Sequence, residues 1–388
     1  MRLIDACELI VDCPHSTAID EGVGFPLIRT PNIGKGKLKL VGVHRVSEEV
    51  YNSRNARAIP QRNDLIFARE APAGNVALIR DEIVCLGQRT VLIRPNQKIV
   101  NPLFLTYYLL GPEMQHKLLK TANGSTVDHV NMSIIRKVDI DIPKLDYQEK
   151  VGSILNRYDE LIDVNNKRIE KCIRLASEIY RNKIIKNVLT KKNNTKSVKP
   201  KGWTINDNEL LYLPQGWEYE PLEKIAKFIR GKNITSSEMN EGTIPVIAGG
   251  VEPSGYHSVS NVNGVSITAS ASGYAGYCSI HYSDIWAADC SYVDSKSTKY
   301  IFFVYESLKY IQEYLYNLQH GAAQQHVNAN DLNKVKIIIP DKQHLKELDN
   351  EFMNIHTYVS KIEKANGELE NKKCHLLSKL MLKQMVVK

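Results

Sequence analysis

Several residues have types and spacings that could do chemistry, and each implies a different chemistry. Asn101-Pro102-Leu103-Phe104 approaches the Asn/Asp-Pro-Pro-Tyr/Phe motif that holds an exocyclic base amine for methyl transfer. Leucine stands where the second proline belongs, and none of the seven phenylalanines opens a Phe-x-Gly-x-Gly cofactor loop. Leu103 and Phe104 are therefore expected to begin a helix that packs on a sheet. Asp64, Glu70 and Glu82-Ile83-Val84 could supply carboxylates to a metal-dependent nuclease, but the carboxylate-x-lysine element that should follow is missing. His129 and His326 occupy matching positions, as paired metal ligands would, yet each lacks a nearby His or Cys partner. No Gly-x-x-x-x-Gly-Lys-Ser/Thr phosphate loop is present. Cys7, Cys13, Cys85, Cys172, Cys278, Cys290 and Cys374 are scattered without a Cys-x-x-Cys pair, which suits reduced thiols or small core residues. No catalytic site and no metal site is expected.

Chemistry of binding is better represented. Lys35, Lys37 and Lys39 surround Gly34 and Gly36, and Arg45, Arg54, Arg57, Arg62 and Arg69 follow, interleaved with Tyr51 and Asn52. Further along, Arg230 and Lys232 lie in a glycine-containing loop, followed by the small-residue tract Ser270-Ala271-Ser272-Gly273-Tyr274-Ala275-Gly276-Tyr277 and a polar loop from His320 to His326. Arginine and lysine can grip phosphates or guanine edges, and asparagine and glutamine can pair bidentately with adenine. The candidate DNA contacts are Arg29, Lys37, Arg54, Arg57 and Arg62 in the first half, and Arg230, Lys232, Ser272, Tyr274, Gln324 and Gln325 in the second. A net charge of +8 is compatible with a polyanionic partner.

The elements that must position these residues occur twice. Gln325-His326-Val327-Asn328, Lys334-Val335 and Ile339-Pro340 repeat Asp128-His129-Val130-Asn131, Lys137-Val138 and Ile142-Pro143 at a constant offset of 197 residues. Glu21-Gly22 and Pro26 match Glu241-Gly242 and Pro245, and Ala73-Gly74 matches Ala275-Gly276, at drifting offsets that mark loops of unequal length. A repeat this long exceeds a solenoid unit of about 20–50 residues. It predicts two copies of one module and a pseudo-twofold molecule.

Each copy reads as a β-rich domain followed by a long helix. The strands expected are Asp64–Ala68 and Val91–Arg94 in the first copy, and Val265–Thr268 and Lys299–Val304 in the second. Helices are expected over Pro102–Lys120 and Tyr305–Leu318, with closing strands Val138–Ile142 and Val335–Ile339. From Asp146 to Leu189 a heptad seam runs through Val151, Leu155, Tyr158, Ile162, Ile169, Cys172, Ala176 and Ile179. A second seam uses Leu345, Leu348, Phe352, Ile355, Val359, Ile362, Leu369, Leu376 and Leu380. Asn165 interrupts the first, and Asn366 and Lys373 interrupt the second; in an antiparallel pair the asparagines would fall at one level and could set register.

The expected fold class is α+β. Two similar mixed, β-rich domains are each followed by a long helix, and the two helices pair as an antiparallel coiled coil. The boundaries are 1–145 for the first domain, 146–189 for the first helix, 190–212 for a basic linker, 213–341 for the second domain and 342–388 for the second helix. The 388 residues, 43% hydrophobic and 24% charged, can bury a core in each half. No secretory leader and no run near 20 apolar residues is found, so a cytoplasmic protein is expected.

The whole pattern resembles the specificity subunit of type I restriction-modification systems. Val11-Asp12-Cys13-Pro14-His15-Ser16-Thr17, then Pro26-Leu27-Ile28-Arg29-Thr30, looks like the opening of a target recognition domain. Leu213-Pro214-Gln215-Gly216-Trp217 looks like the lead-in to the second one, although the first lacks that leader. Ile142-Pro143 with Gln148-Glu149-Lys150, and again Ile339-Pro340, match the passage from domain to helix. The resemblance implies a non-catalytic subunit that binds double-stranded DNA, each domain reading half of a split target. The coiled coil would set the spacer and dock two methyltransferase subunits, joined by a restriction and translocase subunit. S-adenosylmethionine, ATP and Mg2+ would sit on those partners. The competing readings are a coiled-coil protein-interaction scaffold and a divergent DNA methyltransferase.

Overall fold

The computed structural model describes residues 1–120, 129–189, 196–198, 210–318 and 326–381. By contacts the chain divides into two units, one made of Met1–Val164 with Asn366–Lys388 and the other of Asn165–Ala365. Each unit thus holds one domain and a segment of both long helices.

In the first unit Leu65-Ile66-Phe67-Ala68 is apolar without alternation because both faces of its sheet are covered. Leu65 and Phe67 join a core with Val91, Ile93, Phe104, Leu105, Val151 and Leu155 on one face. Ile66 and Ala68 join a second core with Ala77, Ile79, Leu86 and Leu92 on the other, as the two-residue period of a strand requires. The sheet is antiparallel, in the order Cys7–Asp12, Thr90–Pro95, Leu65–Ala68, Val76–Leu78. A smaller sheet places Phe25–Ile28 antiparallel to Arg45–Val46 and parallel to Cys85–Leu86.

The second unit repeats this plan strand for strand. Its main sheet runs Ile229–Arg230, Cys290–Asp294, Ser266–Ser270, Cys278–His281. In its smaller sheet Ile244–Ile247 is antiparallel to Gly255–His257 and parallel to Trp286–Ala287. Helices Pro102–Leu110, Pro112–Leu119 and Met132–Lys137 have the counterparts Ile301–Tyr310, Gln312–Tyr316 and Ala329–Lys334. The internal duplication expected from the 197-residue offset is therefore a duplication of fold.

Three stretches depart from the sequence reading. Lys299–Val304, expected as a strand, enters the helix Ile301–Tyr310, whose residues Ile301 to Leu308 are all buried. A short run buried on every side carries no period to separate strand from helix. Lys336–Ile339 pairs with Glu218–Pro221 as a strand, whereas the matching stretch 138–142 makes one bridge, Arg2 to Asp139, and backbone bonds between Met1 and Ile140. In the stretch expected as a basic linker, Lys196–Val198 forms a strand with Leu211–Leu213.

The first long helix spans Leu145–Tyr180 and continues through a π-helical turn, Arg181–Ile185, into Lys186–Leu189; the second spans Lys342–Met381. Their partial apolar stripes are buried at Val151, Leu155 and Ile162, and at Phe352, Val359 and Ile362, while Tyr158, Asn165, Ile169, Ile355, Asn366 and Leu369 are half-buried. In the first unit the helices are antiparallel: Tyr147 Oη donates to the Leu380 carbonyl (3.4 Å) and Lys373 Nζ to Asp159 Oδ1 (2.6 Å). In the second unit Lys183 pairs with Glu351 at 2.6 Å. Among the described residues no helix is long and apolar enough to cross a membrane.

Candidate nucleic-acid interface

The repeated His-Val-Asn stretch anchors one backbone cradle in each domain. Val130 and Val327 are fully buried, and their N–H groups donate to the carbonyls of Arg69 (3.0 Å) and Ala271 (3.1 Å). Asn131 and Asn328 stand at the N-caps of the following short helices, where a side-chain oxygen can satisfy free N–H groups; Asn328 does so for Asn330 and Asp331. The cradle closes the same way in both copies. Arg69 N donates to Arg89 O, and Ala271 N to Asp289 O; Gly74 N donates to Ala68 O, and Gly276 N to Ser270 O. Gln115 Nε2 donates to Gly74 O at 2.9 Å, and Gln312 Nε2 to Gly276 O at 2.8 Å. Gly74 and Gly276 have φ of +88° and +85°, a region that glycine enters without steric cost.

Different side chains occupy this common frame. In the first domain Arg69 donates to Asp12 Oδ2 (2.8 Å), to Val130 O (3.0 Å) and to His129 Nε2 (2.8 Å). An arginine can only donate, so His129 Nε2 accepts and its Nδ1–H donates to Glu70 Oε1 at 2.6 Å. Glu70 also pairs with Arg89, whose side chain is 61% exposed and whose φ is +62°. His15 sits 3.3 Å from Asp12. In the second domain Ser272 Oγ donates to Asp289 Oδ2, and His326 Nδ1 meets Ala271 O at 3.2 Å. His129 and His326 thus brace loops. Among the described residues no group of three or more His, Cys, Asp or Glu could hold a metal ion.

The sequence-derived contacts fall into distinct environments. Arg54 is 4% exposed and donates to the carbonyls of Leu86, Ser16 and Pro14, so its guanidinium is a clamp on the domain interior. Arg29 is half-buried, and its Nε is buried without a partner among the described residues. Lys37 pairs with Asp163, Arg62 with Asp81, and Arg57 donates to the carbonyl of Asp12; all three are exposed. Arg230 is exposed on its strand opposite Ser291. Lys232 lies 5.8 Å over the Trp286 ring, and Trp286 Nε1 donates to its carbonyl. Tyr274 is 62% exposed, and its N–H is fixed by Gly249 O. Ser272 belongs to the cradle. Gln324 and Gln325 lie outside the described residues.

Sequence reading left Glu70, Arg89, Asp289 and Trp286 out of the candidate set. The first three carry a signal only once the cradle is aligned, because Glu70 and Ser272, like Arg89 and Asp289, become equivalent through backbone bonds. Asp64, weighed as a nuclease carboxylate, is buried and receives two bonds from Arg94, at 2.8 and 2.7 Å.

Comparison with known proteins places this architecture. A family profile described as Type I restriction modification DNA specificity domain matches residues 9–173 and again 214–371. A Methanocaldococcus jannaschii protein named as the type I restriction enzyme MjaX specificity subunit is 25% identical over 409 aligned residues, which cover 100% of this chain and 93% of that one. The MjaIX specificity subunit of the same organism is 26% identical over 51% of this chain and 43% of its own length. Among solved structures, the crystal structure of the type I restriction-modification S subunit from M. genitalium shares the fold with a TM-score of 0.53, 15% identity, and coverage of 98% of this chain and 95% of that one. With the profile matching both halves and most of its length, the chain belongs to the type I restriction modification DNA specificity domain family.

Proposed function

We infer that the chain is the DNA sequence-recognition subunit of a type I restriction-modification complex, without catalytic chemistry of its own. The observation that carries this reading is one backbone frame built twice with different side chains. Two domains of one fold can meet two half-sites of an asymmetric target, each with its own donors and acceptors. Domain 1–145 would read one half and domain 213–341 the other, joined through 190–212. The helices 146–189 and 342–388 would set the spacer and dock two methyltransferase subunits, with a restriction and translocase subunit completing the complex. Of the proposed contacts, Arg29, Lys37, Arg57, Arg62, Arg230, Lys232, Ser272, Tyr274, Gln324 and Gln325 remain in the set, and Arg54 serves as support. The complex would act in the cytoplasm, where chromosomal DNA is accessible.

The test is a map of methylated adenines in cells expressing the neighbouring methyltransferase with and without this chain. Methylation at a two-part motif that requires the chain supports the reading. An unchanged map, with the methyltransferase shown to be active, overturns it.

A further inference from the structure

The equivalence of Glu70 with Ser272 and of Arg89 with Asp289 exchanges a cation for an anion at one place in one frame. We propose that this position is a base-reading point in both domains, with Arg89 selecting guanine in the first half-site and Asp289 selecting a base that offers an exocyclic amine, cytosine or adenine, in the second. The assignment rests on the DNA-recognition reading above and adds to it the residue and base class at one position of each half-site.

Three features set Arg89 apart from a general surface charge. Its φ of +62° is uncommon for a residue with a side chain, so the backbone holds the side chain on a defined vector. Glu70 grips one side of the guanidinium and is itself fixed by His129, which is fixed by Arg69, a residue held in turn by Asp12. The side chain nevertheless stays 61% exposed, free to present the rest of its planar donor fork, the group that matches guanine O6 and N7. In the second domain Ser272 donates to Asp289 Oδ2, and Oδ1 has no partner among the described residues. A carboxylate oxygen held this way accepts from cytosine N4 or adenine N6, and it repels phosphate, so a plain backbone contact is disfavoured there. Cradle bonds at Arg69, Gly74 and Val130, repeated at Ala271, Gly276 and Val327, keep the two positions comparable.

The experiment uses the full chain assembled with its methyltransferase partner and measures methylation across a library of bipartite duplexes. Arg89→Ala should relax the preference for guanine at a single position of one half-site, roughly 5- to 150-fold, and leave the other half-site unchanged, whereas Arg89→Lys, whose ammonium can still donate to guanine O6 and N7, should keep part of it. A guanine preference kept in full by Arg89→Ala, or a uniform loss across all sequences in that variant, overturns the assignment, and the second outcome makes the residue a phosphate contact. Asp289→Asn should alter preference at one position of the other half-site only, and an unchanged motif overturns that half. Glu70→Gln, which keeps the shape around Arg89, guards against misfolding: it should weaken the same guanine preference, and no change there also counts against the proposal. If the wild-type complex shows no bipartite preference at all, the recognition reading has failed and not only this refinement.

Discussion

The two junctions where a long helix meets its domain are built on the same backbone and locked by different chemistry. Asp159 and His356 stand 197 residues apart at matching helix positions. Asp159 accepts from Tyr107 Oη at 2.6 Å and from Lys373 Nζ at 2.6 Å, so the first junction takes its cation from the end of the second helix. His356 instead bonds Glu306 at 2.9 Å and Tyr282 Oη at 2.8 Å, both from its own domain. The residue at the place of Lys373 is Ala176, which is fully buried. Helix capping differs as well. Asn101 caps its own helix through Phe104 N, and Gly152 leaves room for that close approach. In the second copy no side chain of the helix caps it, and Asp349 reaches in from the long helix to accept from Phe302 N and Phe303 N. A duplicated module can fold with either copy of a helix; unlike polar locks make the copies non-interchangeable, because a misplaced helix would leave a buried charge without its partner.

Breaking the first lock should have the largest effect. Lys373→Met leaves Asp159, 9% exposed, as a buried unpaired carboxylate, and should lower the unfolding free energy of the first unit by roughly 3–5 kcal/mol in chemical denaturation. Adding Asp159→Asn should return most of that loss; a single variant as stable as wild type would refute the lock. The same pair predicts an alkaline limit. Burial works against the Lys373 charge, but the hydrogen bond and charge of Asp159, aided by Glu370, outweigh it and raise the pKa above the usual 10.5. Its contribution is therefore complete below 10.5 and lost as pH rises through the folded value, and the double variant should lack that decline.

Removing the second copy's cap is the next step down. Asp349→Ala strips two buried N–H groups of their acceptor and should cost about 1–3 kcal/mol in the second unit. In the first unit the corresponding insult is addition. Gly152→Ala would place a Cβ 2.9 Å from Phe104 N and 3.1 Å from Leu103 Cβ, for about 1–3 kcal/mol of overpacking. Wild-type stability in either variant would mean that the caps are not built as described.

The two main sheets also differ in a pH-dependent way, with a smaller effect. The outer face of the main sheet is apolar in the first unit, with Ile66, Ala68, Ala77 and Ile79, and polar in the second, with Thr268, Ser270, Ser279 and His281. Burial lowers the pKa of His281 to about 4, so between the ordinary 6.5 and about 4 the unfolded state binds the extra proton. Stability of the second unit should fall as pH drops through that window, and His281→Gln should flatten the dependence in melts taken from pH 7 to pH 4. The smallest effect expected is dynamic. Among the described residues the outer apolar cluster of the second unit is small, joining Val262, Ile285, Ala287 and Cys290, so amides of Ile244–Ile247 should exchange faster with solvent than those of Phe25–Ile28. Slower exchange at 244–247 would show that hydrogen bonds hold the polar face as well as apolar contact holds the other.

The duplication and the order of elements are already written in the residue pattern. His129-Val130-Asn131 and His326-Val327-Asn328 sit where backbone anchoring needs a buried valine and a cap, and such local requirements repeat as residues. Leu65–Ala68 and the heptad walk through Val151 and Leu155 were legible for the same reason, since burial imposes a period on neighbouring positions. Which charges lie on the surface and which are locks emerges only when the chain is folded. Arg54 and Lys373 look like any basic residue in the chain, but one is spent on three carbonyls and the other on Asp159, partners that lie 32 to 214 residues away. Folding also decided that Ile301–Leu308 is a helix, because a run buried on all sides has no polar face to mark its period. Likewise only folding aligns Arg89 with Asp289, since the cradle that makes them equivalent is closed by long-range backbone hydrogen bonds that leave no trace in side-chain type.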